Sequence, residues 1–194
     1  MSRPSESRMT TPEDPYRPGL KEDFDRLYRS TYRRIFATLM LILRNPAAAE
    51  DATQEAYMRG FRAWGDWKQD APAEAWMYRI ALNVAFTHRR RDRLHEIGEV
   101  LRRLGRPNEP DPGELEQTDL IRALRSLPAK QAAAIVLRHL HGFTNREIAV
   151  ALNVPERTVA SRLAAAKQRL RSRLGDQSRL EMGISTTSTV PLEE

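Results

Sequence analysis

Asp51, Glu55 and Arg59 recur at intervals of four residues in the segment AAEDATQEAYMRGFRAW. On a helix, this spacing places the three side chains on one face. There, two carboxylates could exchange protons with a substrate or pair with the arginine in an ordinary ladder of ions. Acid–base catalysis would call for a histidine, a nucleophile or a glycine-rich loop, and none accompanies this segment. The spacing therefore favours the ion-pair ladder, and we predict no catalytic residue and no enzymatic activity.

His139 and His141 are the candidate metal ligands. Two residues apart on a helix, their side chains point in different directions. The chain contains no cysteine, so it offers no thiolate to complete a zinc site. We expect no metal site and no cofactor.

A basic helix is the strongest chemical signal in the chain. Residues 156–174 include six Arg or Lys and one acid, a density that suits neutralisation of nucleic-acid phosphates. Upstream, Thr144 and Glu147 have the spacing of a capping box, Asn153 can adopt a left-handed turn, and Pro155 can open the next helix. This pattern predicts a helix-turn-helix, whose second helix enters the major groove. The alternative is a solvated cationic face on a structural helical hairpin.

Three isolated residues carry further hypotheses. Met58 lies among charged side chains, where a monomer gains nothing from an apolar group, so it suggests a protein-docking surface. Trp67, in the loop WKQDAP, is either a core-edge residue or an exposed stacking platform. Asn83 shares a helix face with Trp76 and Ile80 and is either a satisfied core polar group or part of a pocket.

The elements that position these residues are helices. Apolar residues recur at helical spacing in two blocks, 20–95 and 115–175, with little of the alternation typical of strands. We predict an all-α fold of two small domains joined by a flexible linker at 96–114, with disordered tails at 1–19 and 176–194. The predicted helices are about Lys21 to Arg44, Ala47 to Trp64, Pro72 to Arg93, Glu116 to Ser126, Ala129 to His141, Asn145 to Asn153 and Glu156 to Leu174.

The third predicted helix is apolar nearly all round, so we expect it to be buried among its neighbours. It ends in a basic cluster, Arg89 to Arg93. These cations could grip a phosphate backbone or complement the carbonyl dipoles of the helix end.

The sequence also indicates where in the cell the protein is located. The longest apolar stretch, Ile35 to Leu43, covers nine residues, whereas a membrane-spanning helix needs about 20. The amino terminus lacks the apolar core of a secretory signal. We predict a cytoplasmic protein without membrane insertion. Its formal charge of +6 suits an acidic partner such as DNA.

The two blocks together resemble the extracytoplasmic-function (ECF) sigma factors of bacterial RNA polymerase. AAEDATQEAYMRGFRAW is similar to the polymerase-docking helix of that family, and APAEAWMYRIALNVAFTHRRR to its promoter-melting and minus-ten-reading segment. LRSLPAKQAAAIVLRHLHGFTNREIAVALNVPERTVASRLAAAKQRLR is similar to its minus-thirty-five-reading domain. The order of the segments and the linker between them agree as well.

The resemblance implies a function and its residues. The chain would direct core polymerase to specific promoters and initiate transcription, binding the clamp helices of the largest subunit and the flap. An inhibitory anti-sigma factor is the further partner it implies. The docking residues would be Asp51, Gln54, Glu55 and Met58. The minus-ten residues would be Trp67, Lys68, Gln69, Asp70, Ala71, Arg79, Asn83, Arg89, Arg90 and Arg91. The minus-thirty-five residues would be Arg157, Thr158, Ser161 and Arg162.

Two departures from the family pattern bear on promoter choice. Ala160 stands where many relatives carry a cation, and Ala164 and Ala165 stand where they carry bulkier residues, which leaves the base-reading face bare. The alternative function is a free-standing helix-turn-helix regulator that binds duplex DNA through residues 144–174.

Overall fold

The computed structural model describes residues 15–102 and 119–183, and within these ranges it is helical with no strand. The predicted all-α fold is confirmed. The helices are α1 (Lys21–Leu43), α2 (Pro46–Arg62), α3 (Ala73–Arg102), α4 (Asp119–Arg125), α5 (Ala129–His139), α6 (Asn145–Leu152) and α7 (Glu156–Gly183), with a 3-10 helix at Trp64–Asp66 between α2 and α3.

Two helices are longer than the sequence pattern predicts. Helix α3 continues past Arg93 into the predicted linker, and α7 continues past Leu174 into the predicted carboxy-terminal tail. The added segments contain several Leu, Glu and Arg residues, which have high helix propensity, and they contain no proline. Residues 103–118, which include the rest of the predicted linker and the first four residues of the second predicted domain, lie outside the described residues, as do residues 1–14 and 184–194.

Helices α1, α2 and α3 pack around a common core. Small residues of α2 lie in this core, since Ala49, Ala52 and Ala56 are fully buried. Their short side chains allow α2 to pack closely against the neighbouring helices. Thr31 of α1 and Tyr57 of α2 share a buried hydrogen bond of 2.7 Å between their hydroxyl groups. Burial raises the pKa of the Tyr57 phenol, so this pair remains neutral across the physiological range.

The helix-turn-helix forms as predicted. The Thr144 hydroxyl accepts from the backbone N–H of Glu147, and the Glu147 carboxylate accepts from the Thr144 N–H at 2.7 Å, which confirms the capping box. Asn153 ends α6 in the left-handed conformation, with φ of 50° and ψ of 56°. Val159 and Leu163 of α7 are buried, as expected for the inward face.

The second domain packs directly against the first. Helix α6 lies along α3, and α5 contacts α1. The ring of Tyr78 in α3 meets that of Phe143 edge-on, with centroids 5.3 Å apart. This packing explains why α3 is apolar nearly all round: one side faces α1 and α2, and another faces α6.

No helix in the described residues is long and apolar enough to cross a membrane.

Gly60 of α2 lies close to the side chain of Met77 in α3. A Cβ atom at this position would lie 2.8 Å from the Met77 sulfur, whereas a Cβ at Gly65 would meet no atom within 4 Å. Met77 is fully buried, so its side chain has little freedom to move away.

We therefore expect Gly60→Ala to lower the free energy of unfolding by about 1 kcal/mol. Overpacking costs about 1–3 kcal/mol and exceeds the roughly 0.5–1 kcal/mol that alanine gains over glycine in a helix. Urea denaturation followed by circular dichroism measures the change, with Gly65→Ala as the matched control. Equal stability of the two variants would contradict the close contact.

Candidate nucleic-acid interface and docking surface

The outward face of α2 combines charge with exposed apolar surface. Asp51 and Gln54 are exposed, and Met58 is 57% exposed, as its position among charged residues predicts. Phe61 is 52% exposed, although its spacing places it on the core face. Only part of its ring contacts the core, edge-on against Phe24 with centroids 5.3 Å apart. The α2 face therefore presents two large apolar side chains beside a carboxylate.

Glu55 differs from its neighbours because it is held in place. Its carboxylate accepts from Arg59 one turn later, and it lies 2.9 Å from Nε2 of His88 in α3. The bond to His88, together with the positive charge of Arg59, holds the pKa of Glu55 below its usual value. The predicted ion-pair ladder forms between Glu55 and Arg59, and the link to His88 could not be read from the spacing.

The loop between α2 and α3 is built on stacked indoles. Trp67 is only 3% exposed and stacks on Trp64, with ring centroids 5.1 Å apart and planes 14° apart. Its Nε1 donates to the Ala71 carbonyl at 3.1 Å, which closes the loop across its base. The core-edge interpretation of Trp67 is confirmed, and the exposed stacking platform is wrong. Lys68, Gln69 and Asp70 are exposed.

Asn83 is exposed, so the expectation of a buried asparagine with core partners or a pocket is wrong. The neighbouring residues Leu82 and Val84 take the buried positions of this turn. Arg79, one turn earlier on the helix, is also exposed. The two side chains therefore share an accessible strip of α3 that reaches toward the basic cluster.

Arg89 has a structural role. Its guanidinium donates to the Ile42 carbonyl at 2.8 Å, in the last turn of α1, where carbonyls lack helical partners. Because α3 continues to Arg102, the basic cluster does not lie at the end of its own helix, and that expectation is wrong. Arg90 and Arg91 are exposed and carry the accessible charge.

The outer face of α7 is accessible but small. Arg157 and Ser161 are exposed, whereas Thr158 and Arg162 are half-buried. The Ser161 hydroxyl donates to the Thr158 carbonyl at 3.0 Å. One terminal nitrogen of Arg162 is buried without a hydrogen-bond partner among the described residues. Arg157 is therefore the only charged side chain of the four predicted minus-thirty-five residues that is exposed.

His141 joins the two domains, a role that the sequence did not indicate. It follows the end of α5, and its ring is half-buried against α1. Arg34 Nε lies 3.3 Å from Nδ1 of His141, and Thr38 Oγ1 lies 2.9 Å from Nε2. Since a guanidinium only donates, Nδ1 accepts and Nε2 carries the proton of the neutral ring. Arg34 also donates to the His141 carbonyl and to the Glu74 carboxylate.

Comparison with known proteins places both domains in one group. Residues 27–95 match the family described as Sigma-70 region 2, and residues 117–170 match Sigma-70, region 4. The ECF RNA polymerase sigma factor SigM of Mycobacterium tuberculosis is 32% identical over 160 residues, which cover 81% of this chain and 80% of SigM. The ECF RNA polymerase sigma-E factor of Escherichia coli is 30% identical over 132 residues, 61% of this chain and 69% of that factor.

A solved structure has a similar fold. It is the sigma factor RpoE of Bartonella quintana in complex with the anti-sigma factor NepR, with a TM-score of 0.63 and 24% identity. The superposition covers 79% of this chain and 98% of that chain.

The contact through His141 predicts a pH-dependent domain packing. Burial, followed by the charge of Arg34, lowers the pKa of His141 from 6.5 to about 4. The neutral ring is therefore favoured in the packed state, and the stabilisation is complete above about pH 6.5 and lost as pH falls toward 4. We expect the radius of gyration from small-angle X-ray scattering to increase between pH 7 and pH 4.5.

Two variants separate His141 from other titrating groups, including the nearby Glu74. His141→Gln cannot gain a proton in this range, so its radius should vary less with pH than that of the wild type. His139→Gln changes an exposed histidine and should keep the wild-type profile. A wild-type radius that is constant over this pH range would contradict the assignment.

Proposed function

The chain belongs to the ECF sigma factors of bacterial RNA polymerase, and we propose that it directs polymerase to promoters through three separate surfaces. The first domain would bind core polymerase and the minus-ten element. The second would bind the minus-thirty-five element. The family match over residues 27–95 favours this function over a free-standing regulator, because such a regulator would need only the helix-turn-helix.

The docking surface is the outward face of α2. Its exposed Met58 carries the proposal, since an apolar side chain 57% exposed beside Asp51 and Gln54 gains stabilisation only when a partner covers it. The clamp helices of the largest polymerase subunit are the proposed partner. Glu55 would contribute less directly, because its carboxylate is already bonded to Arg59 and His88.

The DNA surfaces lie on the α2–α3 loop with α3, and on α7. The exposed members of the proposed minus-ten surface include Lys68, Gln69, Asp70, Arg79 and Asn83, and the exposed Arg90 and Arg91 would add attraction to phosphates. Extruding a base costs a few kcal/mol, which such contacts can offset. On α7, Arg157 would make the main contact with the minus-thirty-five element.

Simultaneous reading of both elements requires the domains to separate. The two elements lie about 25 base pairs apart, or about 85 Å along B-form DNA. A compact body of about 150 residues has a radius of gyration of only about 15 Å. The packed arrangement held by His141 and Phe143 is therefore the free form of the chain, and promoter binding would open it.

An anti-sigma factor is the proposed regulatory partner. The structurally similar RpoE of Bartonella quintana was solved with the anti-sigma factor NepR, which supports a partner of the same class here. The docking face of α2 and the junction of the two domains are the surfaces that such a partner would compete for.

Run-off transcription with bacterial core polymerase on a library of promoter fragments tests the function, together with size-exclusion chromatography. We expect the wild-type chain to co-elute with polymerase and to produce transcripts with discrete starts. Asp51→Lys and Met58→Ala should each weaken polymerase binding roughly tenfold, as for a central interface residue. The matched control is Asp25→Lys, which reverses an exposed acid on α1.

The outcomes separate the function from the docking residues. If the wild-type chain neither co-elutes nor supports initiation, the proposed function is wrong. If it does both, and the Asp51 and Met58 variants bind polymerase as tightly as Asp25→Lys, only the docking assignment is wrong.

A further inference from the structure

The segment that precedes α1 lies against the α2–α3 loop. The indole Nε1 of Trp64 donates to the Leu20 carbonyl at 2.8 Å, and the side-chain amide of Gln69 donates to the Tyr16 carbonyl at 3.0 Å. The sequence pattern places residues 1–19 in a disordered tail, yet residues 15–19 make defined contacts here. We refer to residues 15–20 as the brace.

The brace is itself attached to α1. Asp23, which is 3% exposed, accepts from the backbone N–H of Arg17 at 2.8 Å and from the side chain of Arg26 at 2.6 Å. Arg26 also donates to the Pro15 carbonyl at 2.8 Å, and its guanidinium lies 5.3 Å from the centre of the Tyr16 ring. These contacts hold in place the Tyr16 carbonyl, which accepts the hydrogen bond from Gln69.

Gln69 has an unusual backbone. Its φ is 54°, in the left-handed region, which costs free energy for a residue other than glycine. Such a conformation persists where the surroundings hold it. Its side-chain amide is committed to the brace, and Trp67 closes the loop from the other side through the Ala71 carbonyl. Lys68 and Asp70, on either side of Gln69, remain exposed.

We propose that Gln69 is a positioning residue of the minus-ten site: it fastens the loop to the brace and thereby fixes the direction in which Lys68 and Asp70 meet an extruded base. This inference rests on the proposed function. It assigns residues 15–20 to the proposed DNA site in a supporting role, without a base contact of their own. The proposed role of Gln69 also differs from that of Lys68 and Asp70, which would contact the base. A site that selects one base needs such contacts held in place before the base arrives, and Gln69 would hold them.

A double-mutant cycle in the full-length chain tests the role of Gln69. Gln69→Glu keeps the size of the side chain but removes the N–H donor. Gly19→Val disturbs the brace without changing Gln69, because Gly19 has φ of +81°, a conformation that valine rarely adopts. Each variant is bound to core polymerase and transcribes four fragments of one active promoter that differ only at the extruded base. The readout is the transcript ratio between the preferred base and the other three.

We expect each single variant to lower this ratio by about fivefold, the effect of about one hydrogen bond. We expect the double variant to lower it no further than the larger single effect, because both break the same attachment. Lys68→Ala is the comparison for loss of a direct contact, and its effect should be smaller in the Gly19→Val background than in the wild type, because the brace positions Lys68. Co-elution with polymerase should be unchanged throughout, since no variant alters the outward face of α2.

Other results would overturn the inference. Unchanged selectivity in Gly19→Val would show that the brace does not support base selection. Additive effects of Gly19→Val and Gln69→Glu would show that Gln69 acts independently of the brace. Arg26→Ala releases Pro15 and Tyr16 by a different route and replaces Gly19→Val if that variant does not fold. Absence of transcripts with the wild-type chain would instead count against the proposed function, so the two failures remain distinguishable.

Discussion

The burial of α3 on two sides is the constraint on which the rest of the structure depends. Tyr78, Ala81 and Ala85 are all fully buried, which is possible only because one side of the helix packs on α1 and α2 and another on α6. The same helix exposes Arg79 and Asn83 along a narrow strip. Packing therefore sets where the candidate DNA surface lies. A change of volume in this helix is transmitted both to the first core and to the junction with the second domain.

Local sequence chemistry predicted the features that arise within a few residues of each other. The Thr144 capping box, the left-handed Asn153 and the inward Val159 follow from spacing and backbone preference alone. The exposure of Met58 followed from its position among charges. The features that the sequence did not indicate depend on distant partners. Arg34 and His141 are 107 residues apart, and nothing in either segment shows that they meet.

Charge alone did not predict which side chains are accessible for binding a partner. Arg89 belongs to a conspicuous basic cluster, but its guanidinium serves the last turn of α1. Glu55 lies on the proposed docking face, but its carboxylate is bonded to His88 and Arg59. Aromatic residues show the same limit, because Trp67 is buried and Phe61 is exposed. In each case a tertiary contact determines the role of the residue, and helical periodicity in the sequence cannot predict that contact.

Under the proposed function, the packing of the second domain on the first competes with the binding of polymerase and promoter DNA. A partner that requires the domains apart binds only the open fraction of molecules, so its apparent dissociation constant is the intrinsic value divided by that fraction. Under the proposed function, substitutions of Arg34, Thr38 or His141 that weaken or strengthen this packing would change the amount of holoenzyme formed at a given concentration, although none of the three is a proposed polymerase-binding or DNA-binding residue. Under the proposed function, the packing between the domains would therefore set promoter output through residues that lie outside the proposed polymerase-binding and DNA-binding surfaces.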